Sequence, residues 1–534
     1  GLPDPLTIER SLEVDSPTVV IHAETGEWVP HYSELDMSTG QFHRRTFMIR
    51  PVTRLADATR YIVAIRGVVD DAGNPIPASP AFAALRDNLP LDDEPSVDMR
   101  RGLYADIFQR LGDAGVARDN LQLAWDFTTA SRENNTARLV SMRDQAMEEV
   151  GDVGPTYTID VVTPDYSEHT ALHIEGTMTV PLFLDDPGAG GSLVLDDDGM
   201  PSPQGTAAYP FVALIPYSAF EQESAPLAYG HGLLGSRTQV QSGTFQKFAN
   251  DFHYVLFAVD WVGMAEDDYL HIAGVLNDGR LDEFTTVVDR GQQGILNFML
   301  ATRLMNGGFA DDPQLTYDGK QAQIAKDEAF YFGNSQGGIF GATLMAVYTD
   351  VTRGMLGVPG QPYHLLLNRS VDFDPFFVIL RIAYPDAIDL QMALGLLQIL
   401  WDRSEPNGFT PYIRTHTLPG TPAHEVMLQV AMGDHQVSTL GAHHMARSIG
   451  GVVNLTPANR SLWGIEDVPG PHTGSGMIEY DFGNPPDPIT NIPPTAGEDP
   501  HGKPRKLPSA QQSLNRFLRE GVVDSYCDGP CDPE

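Results

Sequence analysis

Positive charge is scarce: 34 Lys and Arg stand against 71 Asp and Glu, a formal net charge of −37 over 534 residues. So acidic a surface repels phosphate backbones, which excludes nucleic acid as a partner, and it repels anionic lipid headgroups too. Cysteine is scarcer still. Cys527 and Cys531 are the only two, and two thiols without a nearby His do not make a zinc site. No run of 18 apolar residues occurs. The longest candidate, Leu390 to Trp401, is too short and is interrupted by Gln391 and Gln398, so no membrane-spanning helix is expected. No metal-ligand cluster stands out, and neither a metal nor an organic cofactor is expected. The triplet Asp196-Asp197-Asp198 before Gly199 lacks the remaining ligands of a calcium loop and reads as a hairpin tip.

Apolar residues make up 42% and aromatics 9%, enough to bury real cores. The length is two to three times that of an ordinary domain, which predicts two. Residues 1–150 read as a β-rich domain: short alternating runs such as Thr18 to His22 and Arg60 to Ile65 are separated by turns, and one helix is expected over Met99 to Leu111. Residues 151–534 read as α/β, with strands alternating with helices around a largely parallel sheet. In the tail, Gly529 and Pro530 can turn the chain between Cys527 and Cys531, which predicts a disulfide. An oxidised pair, together with a start at Gly1-Leu2-Pro3 that reads as a trimmed form, predicts an exported protein.

The central motif is Gly333-Asn334-Ser335-Gln336-Gly337. The apolar strand Ala329 to Phe332 before it and a helix after it would put Ser335 on a tight strand-to-helix bend, its oxygen lifted out of the sheet beside a helix N-terminus. Earlier, Tyr229-Gly230-His231-Gly232-Leu233-Leu234-Gly235 closes a strand with a flexible turn. Its backbone can present N–H groups to a developing oxyanion, and the donors are assigned as the N–H groups of Leu233 and Gln336. His231 is read as part of that turn.

Together the elbow, the His-Gly-Leu-Leu-Gly turn and their order resemble the α/β-hydrolase fold of serine esterases and lipases over about residues 150–525. The turn is similar to that of bacterial true lipases. The phrases Val68 to Pro77 and Leu123 to Thr129 resemble, more loosely, the Ig-like leader domain of bacterial virulence-factor lipases. The resemblance implies the chain order nucleophile, acid, histidine. Asp434, after the strand Val426 to Val430, is then the acid, ahead of Asp372 and Asp374, which follow Ser335 too soon. His501, in a loop directly before the helix Ser509 to Leu518, is the base, with His472 as the alternative; His435, His443 and His444 are read as structural.

These roles imply a serine hydrolase of carboxylic esters, working through an acyl-enzyme without a cofactor. Its partner would be a small-molecule or polymeric ester, and no oligomeric state is assigned. The 99 residues between Ser335 and Asp434 predict an apolar insertion near 371–405, either a lid over an acyl pocket or helices packed on the core. A serine peptidase or amidase, and an inert exported binding protein, are the competing readings.

Overall fold

The computed structural model describes residues 1–533. The chain folds as two units, one of residues 1–132 with 489–491, the other of residues 133–488 with 492–533.

In the first unit the strands are β1 (Thr18–His22), β2 (His31–Leu35), β3 (Phe47–Pro51), β4 (Arg60–Arg66) and β5 (Leu121–Thr128), with β-branched runs in β1 and β4. They make an antiparallel sheet in the order β1-β4-β5 and a separate β2-β3 hairpin. Two helices, α1 (Pro80–Asp87) and α2 (Pro95–Asp113), are present where one was expected. The eight-residue α1 was missed because its signals are local and brief. Pro80 occupies the first turn and the Ser79 hydroxyl accepts the Phe82 N–H at 3.2 Å. Val19, Ile21, Ile62, Phe82, Ile107 and Leu111 form this unit's core.

Helix α3 (Arg132–Val150) leads into the second unit. Strands β6 (Thr156–Pro164), β7 (Thr170–Pro181) and β8 (Thr206–Pro216) are followed by β9 (Ala225–Gly230), α4 (Gly243–Phe252), β10 (Tyr254–Val259), α5 (Tyr269–Asp278) and α6 (Thr285–Asn306). After the small hairpin β11 (Thr316–Tyr317) and β12 (Lys320–Gln321) come β13 (Phe330–Asn334), α7 (Gln336–Val347) and β14 (Arg353–Gly357). Helices α8 (Tyr363–Leu366), α9 (Asp374–Ala383) and α10 (Ala387–Trp401) precede β15 (Glu425–Ala431). The chain closes with α11 (Thr439–Ile449), β16 (Val453–Thr456), β17 (Asp467–Pro469), β18 (His472–Thr473), β19 (Gly476–Tyr480), α12 (Pro508–Glu520) and β20 (Val522–Val523).

Eleven of these strands form one sheet in the order β17-β16-β19-β15-β14-β13-β9-β10-β8-β7-β6. From β17 to β10 all neighbours are parallel, whereas β8, β7 and β6 add antiparallel strands at one side. Parallel strands covered on both faces must be apolar throughout, and β9, β10 and β13 are buried along their whole length. Helix α7 is likewise buried on every side. Its last carbonyl, Val347 O, accepts from the fully buried Arg143 at 3.1 Å, and the same guanidinium reaches Thr421 Oγ1 and Pro419 O, each at 2.5 Å. A cation there satisfies an orphan carbonyl and complements the helix dipole. Cys527 and Cys531 form a disulfide. No helix among the described residues is long and apolar enough to cross a membrane.

Candidate active site

Ser335 sits between β13 and α7 with φ 60° and ψ −123°, a conformation an L-residue holds only when its surroundings impose it. The glycines supply the room. A Cβ on Gly337 would lie 2.1 Å from Gly230 O, and one on Gly333 would lie 2.4 Å from Gly337 O. The bend is anchored by the Ser335 N–H donating to Gly357 O at 2.9 Å, across to β14. Ser335 is 7% exposed. Its hydroxyl makes no hydrogen bond to any described residue, His501 included; such bonds commonly tighten only when substrate fills the site.

The turn after β9 abuts this hydroxyl. A Cβ on Gly232 would stand 3.8 Å from Ser335 Cβ and 4.0 Å from its Oγ. Within the turn the Gly232 N–H donates to Gln239 Oε1 at 2.9 Å, that of Leu234 to Met264 O at 3.2 Å and that of Gly235 to Gly232 O at 3.1 Å. The Leu233 N–H between them has no acceptor among the described residues. Gln336 opens α7, so its N–H has no acceptor within the helix. His231 is fixed in one tautomer: Nε2 accepts the Trp261 N–H at 2.8 Å, so Nδ1 carries the proton and donates to Gly232 O at 2.8 Å. Burial holds this ring below its ordinary pKa despite the Gly232 bond, so it stays neutral. Its place is structural, inside the turn.

Asp434 follows β15, two strands from β13, and is 1% exposed. Its Oδ1 accepts the N–H groups of Gln436 at 2.8 Å and Val437 at 3.0 Å, and its Oδ2 accepts His501 Nδ1 at 2.7 Å. Burial pulls the imidazole pKa down, but the charge and hydrogen bond of Asp434 outweigh it, and His501 is raised above the ordinary value. The second imidazole nitrogen is left to act elsewhere.

A third residue belongs to this cluster and was not anticipated. Asp499 Oδ1 accepts the backbone N–H groups of His501 at 3.1 Å and His435 at 3.3 Å, and Oδ2 accepts Gln436 Nε2 at 2.7 Å. It ties the histidine loop to the Asp434 loop. The signal lay in the order Asp499-Pro500-His501, for an Asp commonly accepts the N–H two residues on. Asp499→Asn should lower kcat about tenfold with KM little changed, because the new amide faces the Gln436 amide donor and loosens the loop that aims His501. Steady-state kinetics on any turned-over ester checks this, and an unchanged kcat would contradict it.

The other candidates lie apart. His472 is on β18, paired with β20, and directly precedes the first residues of β19. It therefore sits at the amino edge of the parallel sheet, whereas Ser335 and Asp434 follow the carboxyl ends of their strands. His443 Nε2 is taken by Glu479 Oε1 at 2.7 Å, and His444 Nδ1 faces Gln361 Nε2 at 3.4 Å. His435 holds its loop in place, its carbonyl accepting the Val371 N–H at 3.0 Å. Asp374 is exposed at the start of α9, but Asp372 is half-buried and faces the same cavity as Ser335.

That cavity is an apolar slot. Leu233, Ile272, Phe284, Phe376, Leu397 and Trp401 are among the side chains that line it with Ser335 and Gln336. Its empty volume, open solvent at the mouth included, is about 810 Å³. Helices α9 and α10, the apolar stretch between β14 and β15, supply one wall. Tyr363, stacked on Trp401 at 4.4 Å, donates its hydroxyl to Gln336 Oε1 and fixes that side chain against the wall.

Comparison with known proteins finds no matching family model and no matching curated protein. Among solved structures, acetyl xylan esterase 1 from Thermoanaerobacterium sp. is 13% identical, with 66% of this chain and 91% of that one covered at a TM-score of 0.37. An acetyl xylan esterase from Paenibacillus sp. R4 is 11% identical, with 72% and 94% covered at 0.36. An S-formylglutathione hydrolase from Agrobacterium tumefaciens is also 11% identical, with 61% and 92% covered at 0.29. A mostly parallel sheet between helices, with the strained serine bend after a central strand and an acid and a histidine beyond later ones, is the α/β-hydrolase fold, and the second unit has it.

Proposed function

We propose that the protein is a serine hydrolase of carboxylic esters. The observation that carries this reading is the buried His501–Asp434 pair, joined at 2.7 Å at the same sheet edge as the strained Ser335. His501 Nε2 takes the Ser335 proton as Oγ bonds to the ester carbonyl carbon. The resulting oxyanion accepts from the Leu233 and Gln336 N–H groups. As the carbon–oxygen bond to the alcohol breaks, His501 returns its proton to the leaving oxygen. Water, deprotonated by the same ring, then attacks the acyl-enzyme; the acid leaves and Ser335 regains its proton.

The wall of the slot points to lipid-like acyl esters or polyesters. Helices α9 and α10 are apolar on both sides: Phe376, Leu397 and Trp401 face inward, while Val378, Ile382, Met392, Leu396 and Ile399 are each more than half exposed. Such an outer surface beside an acyl slot suits a substrate presented as an apolar aggregate or solid. The disulfide suits an exported protein.

Paired rates on a 4-nitrophenyl ester and the matching anilide test the reaction class. The ester should be cleaved at least ~100-fold faster by kcat/KM, and a faster anilide would replace this reading with a peptidase or amidase. The pH profile is a second check. Only neutral His501 can accept the serine proton, so activity is lost as pH falls through its raised pKa, and the acid limb of kcat/KM should lie above about 6.5. A limb below that value would mean that a different group is the base.

A further inference from the structure

The slot is mostly apolar, and among the described residues lining it Asp372 is the only one with an ionisable carboxyl or a cationic side chain. Its position is fixed. The Ser370 hydroxyl accepts the Asp372 N–H at 3.2 Å, and the preceding Val371 N–H is bonded to His435 O, so the short turn before α9 is tied to the Asp434 loop. The Asp372 carboxylate itself has no hydrogen-bond donor among the described residues. His501 is the cation whose charge reaches it, but that ring is already bonded to Asp434. Burial, with the charges of Asp434 and Asp499 and against that of His501, lifts its proton affinity above the ordinary carboxylate value. Three acidic side chains thus lie about one histidine, and the one that borders the slot has no hydrogen-bond donor of its own among the described residues.

We infer that Asp372 sets the charge selectivity of the slot, admitting ester chains that are neutral along the enclosed stretch and excluding those that carry a carboxylate there. The inference rests on the esterase reading above. Above its raised pKa Asp372 is ionised, and an ionised carboxylate accepts hydrogen bonds but cannot donate them, so a second one brought beside it meets like charge with no donor to share, inside walls that screen poorly. Selectivity of this kind comes from a repulsive element rather than an added contact. The same repulsion would eject the carboxylate product after each turnover.

The test compares 4-nitrophenyl hydrogen glutarate, whose acyl chain ends in a carboxylate, with 4-nitrophenyl 5-methylhexanoate, its neutral isostere, on the full chain. The wild type should favour the neutral ester at least ~30-fold in kcat/KM. In Asp372→Asn that ratio should fall ~tenfold or more, and in Asp372→Glu, which keeps the charge, it should stay within ~threefold of wild type. The ratio is the readout, since the rate on either ester alone also reflects packing and the stability of the imidazolium. An unchanged ratio in the Asn variant would overturn the role of Asp372 and leave the esterase reading standing. A wild-type ratio near one would do the same even if the Asn variant failed to fold. Hydrolysis of neither ester by the wild type would remove both.

Discussion

Ser335→Ala should lower kcat/KM on a 4-nitrophenyl ester by ~10⁴-fold or more, to the residual rate that an oxyanion site and binding alone can give. The fold should not notice. The Ser335 hydroxyl bonds no described residue, so its removal orphans nothing, and the backbone at φ 60° is held by the Gly357 bond and by the contacts of Gly333 and Gly337 rather than by the side chain. Alanine bears the same Cβ as serine and the same strain, so the change in stability should stay within ~0.5 kcal/mol. Circular dichroism and a thermal melt beside the kinetics check both halves. Substantial activity in the alanine variant would remove the proposed nucleophile.

The second large effect is expected at the histidine. His501→Ala removes the base and should cost ~10⁴-fold or more in kcat/KM, and Asp434→Asn ~10³- to 10⁴-fold, because an amide facing Nδ1 no longer holds the tautomer that leaves Nε2 free. The two losses should not add, for the pair acts as one unit. His472→Ala is the control. It lies at the opposite edge of the sheet and should change turnover less than twofold. A large loss at His472 with little at His501 would reverse the assignment of the base.

How far the site was legible depended on how local each part is. The elbow is written in five consecutive residues whose spacing is dictated by two close approaches, of Gly337 to the Gly230 carbonyl and of Gly333 to the Gly337 carbonyl, so strand, bend and helix could be read together. Asp434 and His501 are 67 residues apart, but each follows a recognisable element, a strand and a loop before a helix. Asp499 left only the local Asp499-Pro500-His501 order as a sign, and Asp372 was weighed only as a rival acid. The value of each comes from tertiary placement: Asp499 bonds the backbone of two distant loops, and Asp372 stands in a slot whose walls come from several helices.

The same distinction holds for the fold. The apolar runs of β9, β10 and β13 announced buried parallel strands. Helix α3, rich in polar residues, buries only a narrow stripe including Leu139, Met142 and Ala146, and was passed over. Asn491, in a proline-rich stretch, joins the first unit through Asp36, donating from Nδ2 to Oδ1 at 2.8 Å and accepting the Met37 N–H at 2.6 Å. A bond across more than 450 residues leaves no periodicity to read.

The central claim is that the Ser335 oxygen is a nucleophile activated by His501. The most direct measurement is reaction with a fluorophosphonate followed by peptide mass spectrometry on wild type and His501→Ala. The account predicts a single adduct, on the peptide containing Ser335, formed at least ~100-fold more slowly in the variant. An unmodified Ser335 peptide after prolonged exposure, or an adduct on another residue with equal rates in both proteins, would contradict it.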